Sequence, residues 1–244
     1  MFVITADQIG SRTDRDRAGE MIAELVAAFG PAFTLPPDQT AGDEIQLLVP
    51  DADTALAVVL ALQRAGHWSI GLGIGEVRTP LPETTRQASG GAFVAARAAV
   101  TRAKKAEARF SLEVDPAVEP AVEPAGEPAD GPAGDRAGER AADLSADLSS
   151  GRAAPLLNAD GVEALITTLL LLRQRRSKEG WAAIDLLQSG MSQVVIAAEL
   201  GISTAAVSQR IRSAGWRVDQ AAQPALVRLL ENLEHATTET DPAA

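Results

Sequence analysis

The sequence predicts an α+β N-terminal domain, an acidic linker and an all-α C-terminal domain. Three observations support this division. Up to residue 115, short β-prone runs alternate with segments of helical apolar spacing. Residues 116–152 repeat a Pro-Ala-x-Glu pattern without apolar periodicity, and from residue 153 the apolar spacing is helical. We therefore predict domains at 1–115 and 153–236, joined by a flexible linker at 116–152.

The composition excludes several classes of protein. Hydrophobic residues make up 46% of the 244 residues, which is enough for a core, and the absence of cysteine excludes disulfides and thiol chemistry. No apolar run approaches the length of a membrane span, and the N-terminal segment lacks the basic start and cleavage site of a signal peptide. We therefore expect a cytoplasmic protein without a membrane partner, and the Ala-, Gly- and Arg-rich composition is typical of bacteria.

The strands and helices of the first domain are predicted from the spacing of apolar residues and from residues that end a helix, such as Gly30-Pro31. Strands are predicted at 2–6, 33–35, 45–49, 68–77 and 108–114, and helices at 14–29, 53–65 and 91–105. The resulting order, βαββαβαβ, predicts an α/β sandwich in which helices cover an antiparallel sheet. Gly71, Gly73 and Gly75 alternate within a strand and open no helix, so they indicate close approach of a ligand or another backbone and exclude a dinucleotide-binding loop.

The linker and the first C-terminal helices are predicted from composition and capping. The Pro-rich, acidic segment 116–152 is expected to be disordered and partly extended. The simpler interpretation is a tolerated insertion; the alternatives are a tether between the two domains, or an acidic segment that competes with an anionic partner for the basic residues of the second domain. Asn158 or Asp160 caps a leucine-rich helix, which is buried or dimerises. Helices follow at 181–188 and 224–235, and Trp181 and Trp216 are expected to anchor a small core.

The stretch 191–216 reads as two short helices joined by a tight turn. Gly201 tolerates the left-handed turn conformation, and Ser203 is a good N-cap for the second helix. Val207 and Ile211 share the face that points to a core. The opposite face carries short, polar or basic side chains that suit the major groove of DNA. We therefore predict these DNA-binding residues: Ser203, Thr204, Ala205, Ser208, Gln209, Arg210 and Arg212.

This stretch closely resembles the helix-turn-helix of bacterial transcription regulators and sigma-factor-like domains. The matching residues are Ala197, Leu200, Gly201, Ile202, Ser203, Val207, Ser208, Arg210 and Ile211. The resemblance implies binding to double-stranded DNA, and because operators usually mirror a two-fold dimer, we expect a homodimer. An ordinary helical hairpin is the alternative. The surrounding charge favours DNA, since the chain carries a net charge of -11 whereas this region is basic. The basic residues counted here are Arg173, Arg175, Arg176, Lys178, Arg210, Arg212 and Arg217.

Four segments of the first domain carry a second resemblance. ITADQIGS, TAGDEIQLLV, SIGLGIGEV and GGAFVAARAAVTRAKK resemble, in this order, segments of class III nucleotidyl cyclases. The second is also similar to the GGDEF signature of diguanylate cyclases. A cyclase-like, ferredoxin- or palm-like domain followed by a helix-turn-helix resembles the SatD-like family. This resemblance implies a metal site at Asp7 and Asp43 for Mg²⁺ bound with a nucleotide.

The cyclase resemblance also implies a ligand site at Gly10, Ser11, Arg12, Gln39 and Arg97. Residues Gly10, Ser11 and Arg12 form a turn that is expected to lead into a helix and to offer N–H groups and charge to phosphates. Arg97 matches the transition-state arginine, although a salt-bridged helix residue is an equally simple interpretation. Asp43 and Glu44 alternatively populate an ordinary hairpin turn.

Two departures from the cyclase pattern decide our expectation about catalysis. Gln39 stands where cyclases have a purine-contacting lysine, and Phe93 stands where they have a transition-state asparagine. Losing preorganised donors costs about 3 kcal/mol of transition-state stabilisation each. We therefore expect that the protein is not an enzyme and has no catalytic residues. We expect a transcription regulator whose cyclase-like domain senses a nucleotide-type ligand or dimerises. The alternatives are a divergent metal-dependent cyclase and a scaffold for protein partners.

Overall fold

The computed structural model describes residues 1–40, 42–115 and 157–238. The predicted linker therefore lies outside the described residues. The strands are β1 (Phe2–Gln8), β2 (Leu35–Gln39), β3 (Glu44–Val49), β4 (Trp68–Ile74) and β5 (Phe110–Val114). The helices are α1 (Ala18–Phe29), α2 (Ala52–Ala65), α3 (Gly91–Ala103), α4 (Ala159–Gln174), α5 (Lys178–Gln188), α6 (Gln193–Glu199), α7 (Thr204–Ser213) and α8 (Trp216–Thr238).

The predicted order βαββαβαβ is confirmed for the first half of the chain, although several boundaries shift. The largest shifts are at the start of α1, at both ends of β2 and at the end of β4, which stops at Ile74 rather than residue 77. Helix α1 begins at Ala18 rather than residue 14, because side chains before it bond the local backbone. Asp14 Oδ1 accepts from the Arg15 N–H at 2.8 Å, and Asp16 Oδ1 accepts from the Ala18 N–H at 2.9 Å. Such local bonds compete with helix formation. Strand β2 likewise lies at 35–39 rather than 33–35.

The described residues form a five-stranded sheet in the order β2-β3-β1-β4-β5. Strand β1 is antiparallel to both β3 and β4, whereas β5 is parallel to β4. The prediction of an antiparallel sheet is therefore wrong at this edge, and the sheet is mixed. Helix α3 is the reason, since it connects β4 to β5 and a parallel pair requires such a crossover.

The two faces of the sheet are covered unequally. Helices α1, α2, α4 and α8 pack on the face that includes Phe2 and Ile4, while α3 covers the face that includes Val3. Helix α3 lies almost on the β4 backbone. A Cβ atom on Gly71 would sit 2.2 Å from the Val100 nitrogen, and one on Gly73 would sit 2.2 Å from the Ala92 oxygen. The prediction that these glycines mark the close approach of another backbone is thus confirmed.

The main core continues into the second half of the chain. Leucines of α8 and apolar residues of α4 belong to the same buried cluster as the sheet: Val162, Ile166, Leu169, Leu170, Leu226, Leu230 and Leu233. The leucine-rich helix is therefore buried within its own chain. Helix α8 also starts at Trp216 instead of residue 224 and runs through Pro224. Pro224 is exposed, so water can solvate the carbonyl that the missing N–H leaves unpaired.

Helices α5, α6 and α7 form a second, smaller core. Its fully buried members include Ala183, Ile196 and Val207, and Trp216 packs at its edge. Helices α6 and α7 meet at an angle of 102°. Within the described ranges, no single helix combines the length and apolarity of a membrane span; the bent pair α6 and α7 passes that test only when counted together.

Candidate functional site

Local hydrogen bonds hold the turn before α7 and orient this helix. Gly201 has φ +63°, and the Ile202 N–H donates to the Ala197 oxygen at 3.0 Å, closing the turn after α6. Ser203 Oγ accepts from the Ala206 N–H at 3.2 Å, as an N-cap does. Because Val207 is fully buried, the opposite side of α7 points to solvent.

The outward side of α7 brings together most of the predicted DNA-binding residues. Thr204, Ala205, Gln209 and Arg212 are exposed, and Ser208 is half-buried. Gln209 accepts from the Arg212 guanidinium at 3.4 Å and donates to Ser213 at 3.1 Å, so these polar groups form one continuous row.

Arg210 lies apart from this row. It is half-buried, and its positive charge acts on Glu179 at the start of α5. The pKa of Glu179 lies below its ordinary value, first because its carboxylate accepts from its own N–H, then because of Ser177, and to a smaller extent because of Arg210. Arg210 therefore borders the row and does not belong to it.

The basic region around α7 is smaller than the sequence predicts. Asp219 is fully buried and binds two guanidinium groups, at 2.8 Å from Arg173 and in a shorter contact with Arg176. Arg176 also donates to the Ala214 oxygen at 2.7 Å. Burial lowers the pKa of Arg173, and the Asp219 charge opposes that effect. These two arginines hold α4 against α8 and are not available to DNA; the predicted cations left exposed are Arg175, Lys178, Arg212 and Arg217.

Trp181 joins the smaller core to the rest of the molecule, a role that the sequence did not predict. Its ring lies 4.4 Å from the Arg64 guanidinium, 4.7 Å from that of Arg176 and 5.2 Å from that of Arg173. Arg64, on α2, also pairs with Asp185 at 2.6 Å. Trp181 is not among the residues that pack in the smaller core, so the prediction that it anchors this core is wrong. Its ring stacks between cations from two parts of the chain.

A charged quartet lies where the cyclase resemblance placed a metal. It consists of Asp7, Glu44, Arg97 and Lys104. Asp7 lies inside β1 rather than after it, and its register partner on β3 is Glu44, not Asp43. Lys104, which follows α3, donates to Asp7 at 2.7 Å, and Arg97, on α3, pairs with Glu44 at 2.9 Å. The helical spacing of Arg97 and Lys104, seven residues apart, is the signal that could have revealed this pairing.

The residues predicted to bind metal and ligand are only partly brought together. Asp43 lies in the turn before β3, beside the end of β1, since its carbonyl oxygen accepts from the Gln8 N–H at 3.0 Å. Its carboxylate makes no hydrogen bond or ion pair with another described residue. Gln39 donates to Asp16 at 3.1 Å and to the Gly42 oxygen, so it stabilises the hairpin.

The predicted phosphate-binding turn does not lie at a helix start. Gly10 has φ +72° and accepts from the Thr13 N–H at 2.9 Å. Ser11 is half-buried and Arg12 is exposed, and α1 begins only at Ala18. The prediction that this turn leads directly into a helix is therefore wrong, and its N–H groups lack the support of a helix dipole.

The two carboxylates of the charged quartet are already paired with cations of the protein. The Asp7 carboxylate is already neutralised by Lys104, and the buried Glu44 carboxylate is bound by Arg97 and by the Thr40 hydroxyl at 2.6 Å. Across residues 1–40, 42–115 and 157–238, no three His, Asp or Glu side chains converge in a way that could hold a metal ion. Protein cations therefore occupy the positions where divalent ions would balance the carboxylates.

Phe93, which stands where the cyclase pattern has an asparagine, is a core residue of α3. Phe93 is buried and packs against Val3 and Leu48 in the core beneath α3. A ring in this position contributes packing and offers no hydrogen bond.

No protein-family model, no curated protein and no solved structure matches this chain.

Proposed function

We propose that the protein is a sequence-specific, double-stranded DNA-binding transcription regulator that acts in the bacterial cytoplasm and reads bases with α7. The observation that carries this proposal is the division of α7 into two sides. Val207 and Ile211 fix one side in a core, while Thr204, Gln209 and Arg212 are left exposed on the other. An exposed row of small and polar side chains on a rigidly held helix is suited to direct readout.

The dimensions and chemistry of α7 agree with a major-groove element. Its ten residues span about 15 Å, and the major groove is about 12 Å wide. Gln209 has the donor and acceptor that recognise adenine, and Arg212 suits guanine or a phosphate. Ala205 is small enough to allow close approach and to contact a thymine methyl group.

The charge distribution favours focused binding over general attraction to nucleic acid. The whole chain carries a formal net charge of -11, which repels phosphates. Exposed cations near α7, among them Arg212 and Arg217, give this surface a positive character. Binding should therefore depend on a correct fit between α7 and the bases, and it should weaken steeply with salt.

In this proposal the N-terminal unit supports dimerisation, because two recognition helices read a site better than one. Most leucines of α4 and α8 face the main core, so an interface through the N-terminal unit is preferred over one through these helices. The buried leucines are Leu169, Leu170, Leu226, Leu230 and Leu233. Nucleotide sensing stays a hypothesis that isothermal titration tests. Phe93 and the Lys104–Asp7 pair weigh against the cyclase alternative, which an assay with ATP or GTP and Mn²⁺ tests directly.

The deciding experiment is selection of bound duplexes from a random DNA pool, performed on the wild-type chain and on Gln209→Ala and Arg212→Ala. Arg228→Ala is the matched control, since Arg228 is an exposed arginine on α8 outside the α7 surface. We expect enrichment of a two-fold-related site, changed or weakened by the α7 substitutions and unaffected by the control. No enrichment at low salt, with and without nucleotides, would refute DNA reading by this chain.

A further inference from the structure

A groove of about 460 Å³ opens where α5, α6, α7 and the start of α8 meet. Its apolar walls come from Leu187, Ile211, Trp216 and Val218. Val218 is 64% exposed, so its apolar surface remains in contact with water. The volume lies within the range of small-molecule sites, about 300–1,000 Å³.

The polar rim of this groove carries uncompensated positive charge. Arg212 and Arg217 line it and are both exposed. Neither forms an ion pair with any residue in the described part of the chain. The neighbouring Arg173 and Arg176 differ, because they share the Asp219 carboxylate. Arg212 makes only a long hydrogen bond to Gln209, at 3.4 Å. The groove therefore combines apolar walls with two guanidinium groups whose charges no carboxylate of the described residues balances, and such groups bind anions.

We propose that this groove binds a small organic anion with a flat apolar body, such as an aromatic carboxylate, sulfonate or phosphate. The anionic group would pair with Arg212 and Arg217, and the ring system would lie against Trp216. Aromatic rings stack favourably, and apolar surface gains by leaving water. A phosphodiester strand could pair with the arginines of the rim but would leave the apolar walls in contact with water, so a compact aromatic anion is the better match.

Occupation of the groove should oppose DNA binding, an extension that rests on the function proposed above. Ser208 and Arg212 line the groove and also belong to the α7 surface proposed to read DNA. One guanidinium cannot serve a bound anion and a base at the same time. The groove is thus a place where a small anion would lower the affinity of the protein for its operator.

The test uses 1-anilinonaphthalene-8-sulfonate, an aromatic anion whose fluorescence rises in apolar sites, titrated into the folded full chain. We expect saturable binding of one dye per chain, about tenfold weaker in Arg217→Gln, since one charge-assisted hydrogen bond is lost. Val218→Glu adds a negative charge at an exposed wall position and should abolish binding. Arg228→Gln, on the same helix but outside the groove, should bind like the wild type.

Circular dichroism and thermal unfolding establish that each variant is folded. Unsaturable dye binding, or equal binding by wild type, Arg217→Gln and Val218→Glu, would overturn the proposed site. A competition with the selected duplex forms the second arm. If the dye binds as expected but does not compete with the duplex, the opposition to DNA is wrong. If no duplex binds, the DNA-reading function fails while the dye titration still decides the site.

Discussion

The Lys104 ammonium group donates to the Asp7 carboxylate at 2.7 Å and ties the C-terminal end of α3 to β1. Arg97 makes an equivalent contact with Glu44 on the neighbouring strand. The Asp7 carboxylate, which the cyclase resemblance assigns to a metal site, and the Glu44 carboxylate beside it are thus both balanced by cations of the protein. This arrangement gives each of the two carboxylates beneath α3 a counter-charge from the helix or the residue that follows it.

The Lys104–Asp7 pair predicts that the wild-type chain gains no stability from divalent ions. We expect its thermal midpoint to stay constant when Mg²⁺ or Mn²⁺ is added. Lys104→Met should lower the free energy of unfolding by about 1 kcal/mol, since the pair is partly solvent-exposed. Lys105→Met, an exposed neighbour, is the control. A Mn²⁺-dependent rise of the wild-type midpoint that Asp7→Asn removes would show that metal binds Asp7 after all.

The contact between α3 and β4 predicts opposite effects of two glycine-to-alanine substitutions. Gly71→Ala places a Cβ 2.2 Å from the Val100 nitrogen, so α3 must move and the chain should lose about 3 kcal/mol or more. Gly19→Ala, at an exposed position of α1, meets no atom within 4 Å and should stabilise the chain by about 0.5–1 kcal/mol. Urea denaturation measures both. Similar stability for Gly71→Ala and the wild type would contradict the direct packing of α3 on β4.

The buried Asp219 predicts a large loss of stability on neutralisation. Asp219→Asn leaves the Arg173 and Arg176 charges without a counter-charge in a buried site, which costs about 3–5 kcal/mol. Asp185→Asn breaks the exposed pair with Arg64 and should cost less than about 1 kcal/mol. Chemical denaturation followed by circular dichroism compares them. Equal effects of the two substitutions would argue against a buried charge cluster between α4 and α8.

The Asp38–Arg86 pair predicts a loss of stability in acid. Arg86 holds the pKa of Asp38 below its ordinary value of 3.8, first through their hydrogen bonds. A depressed folded-state pKa contributes stability above the unfolded value, and this is lost as pH falls through the folded value. The thermal midpoint of the wild type should therefore drop below about pH 4. Asp38→Asn should show a shallower drop, whereas Asp53→Asn, at an exposed position on α2, should follow the wild type.

The sequence alone determined the order of elements and the orientation of α7. Apolar spacing revealed each strand and helix of the first half, and Ser203 and Asn158 cap helices as predicted. These features are predictable because local period and capping chemistry reside in a few consecutive residues. The alternation of Gly71 and Gly73 likewise predicted the close approach of a ligand or another backbone, which the structure shows to be the backbone of α3.

The tertiary structure alone decided how distant residues pair. In the folded chain β5 lies parallel to β4, and Lys104 forms an ion pair with Asp7. Arg173 and Arg176 are buried and paired with Asp219. A charged residue looks the same in sequence whether it meets solvent, DNA or a buried counter-charge. Its role depends on which remote group the fold brings within about 4 Å, because Coulomb energy and desolvation are set by distance and burial.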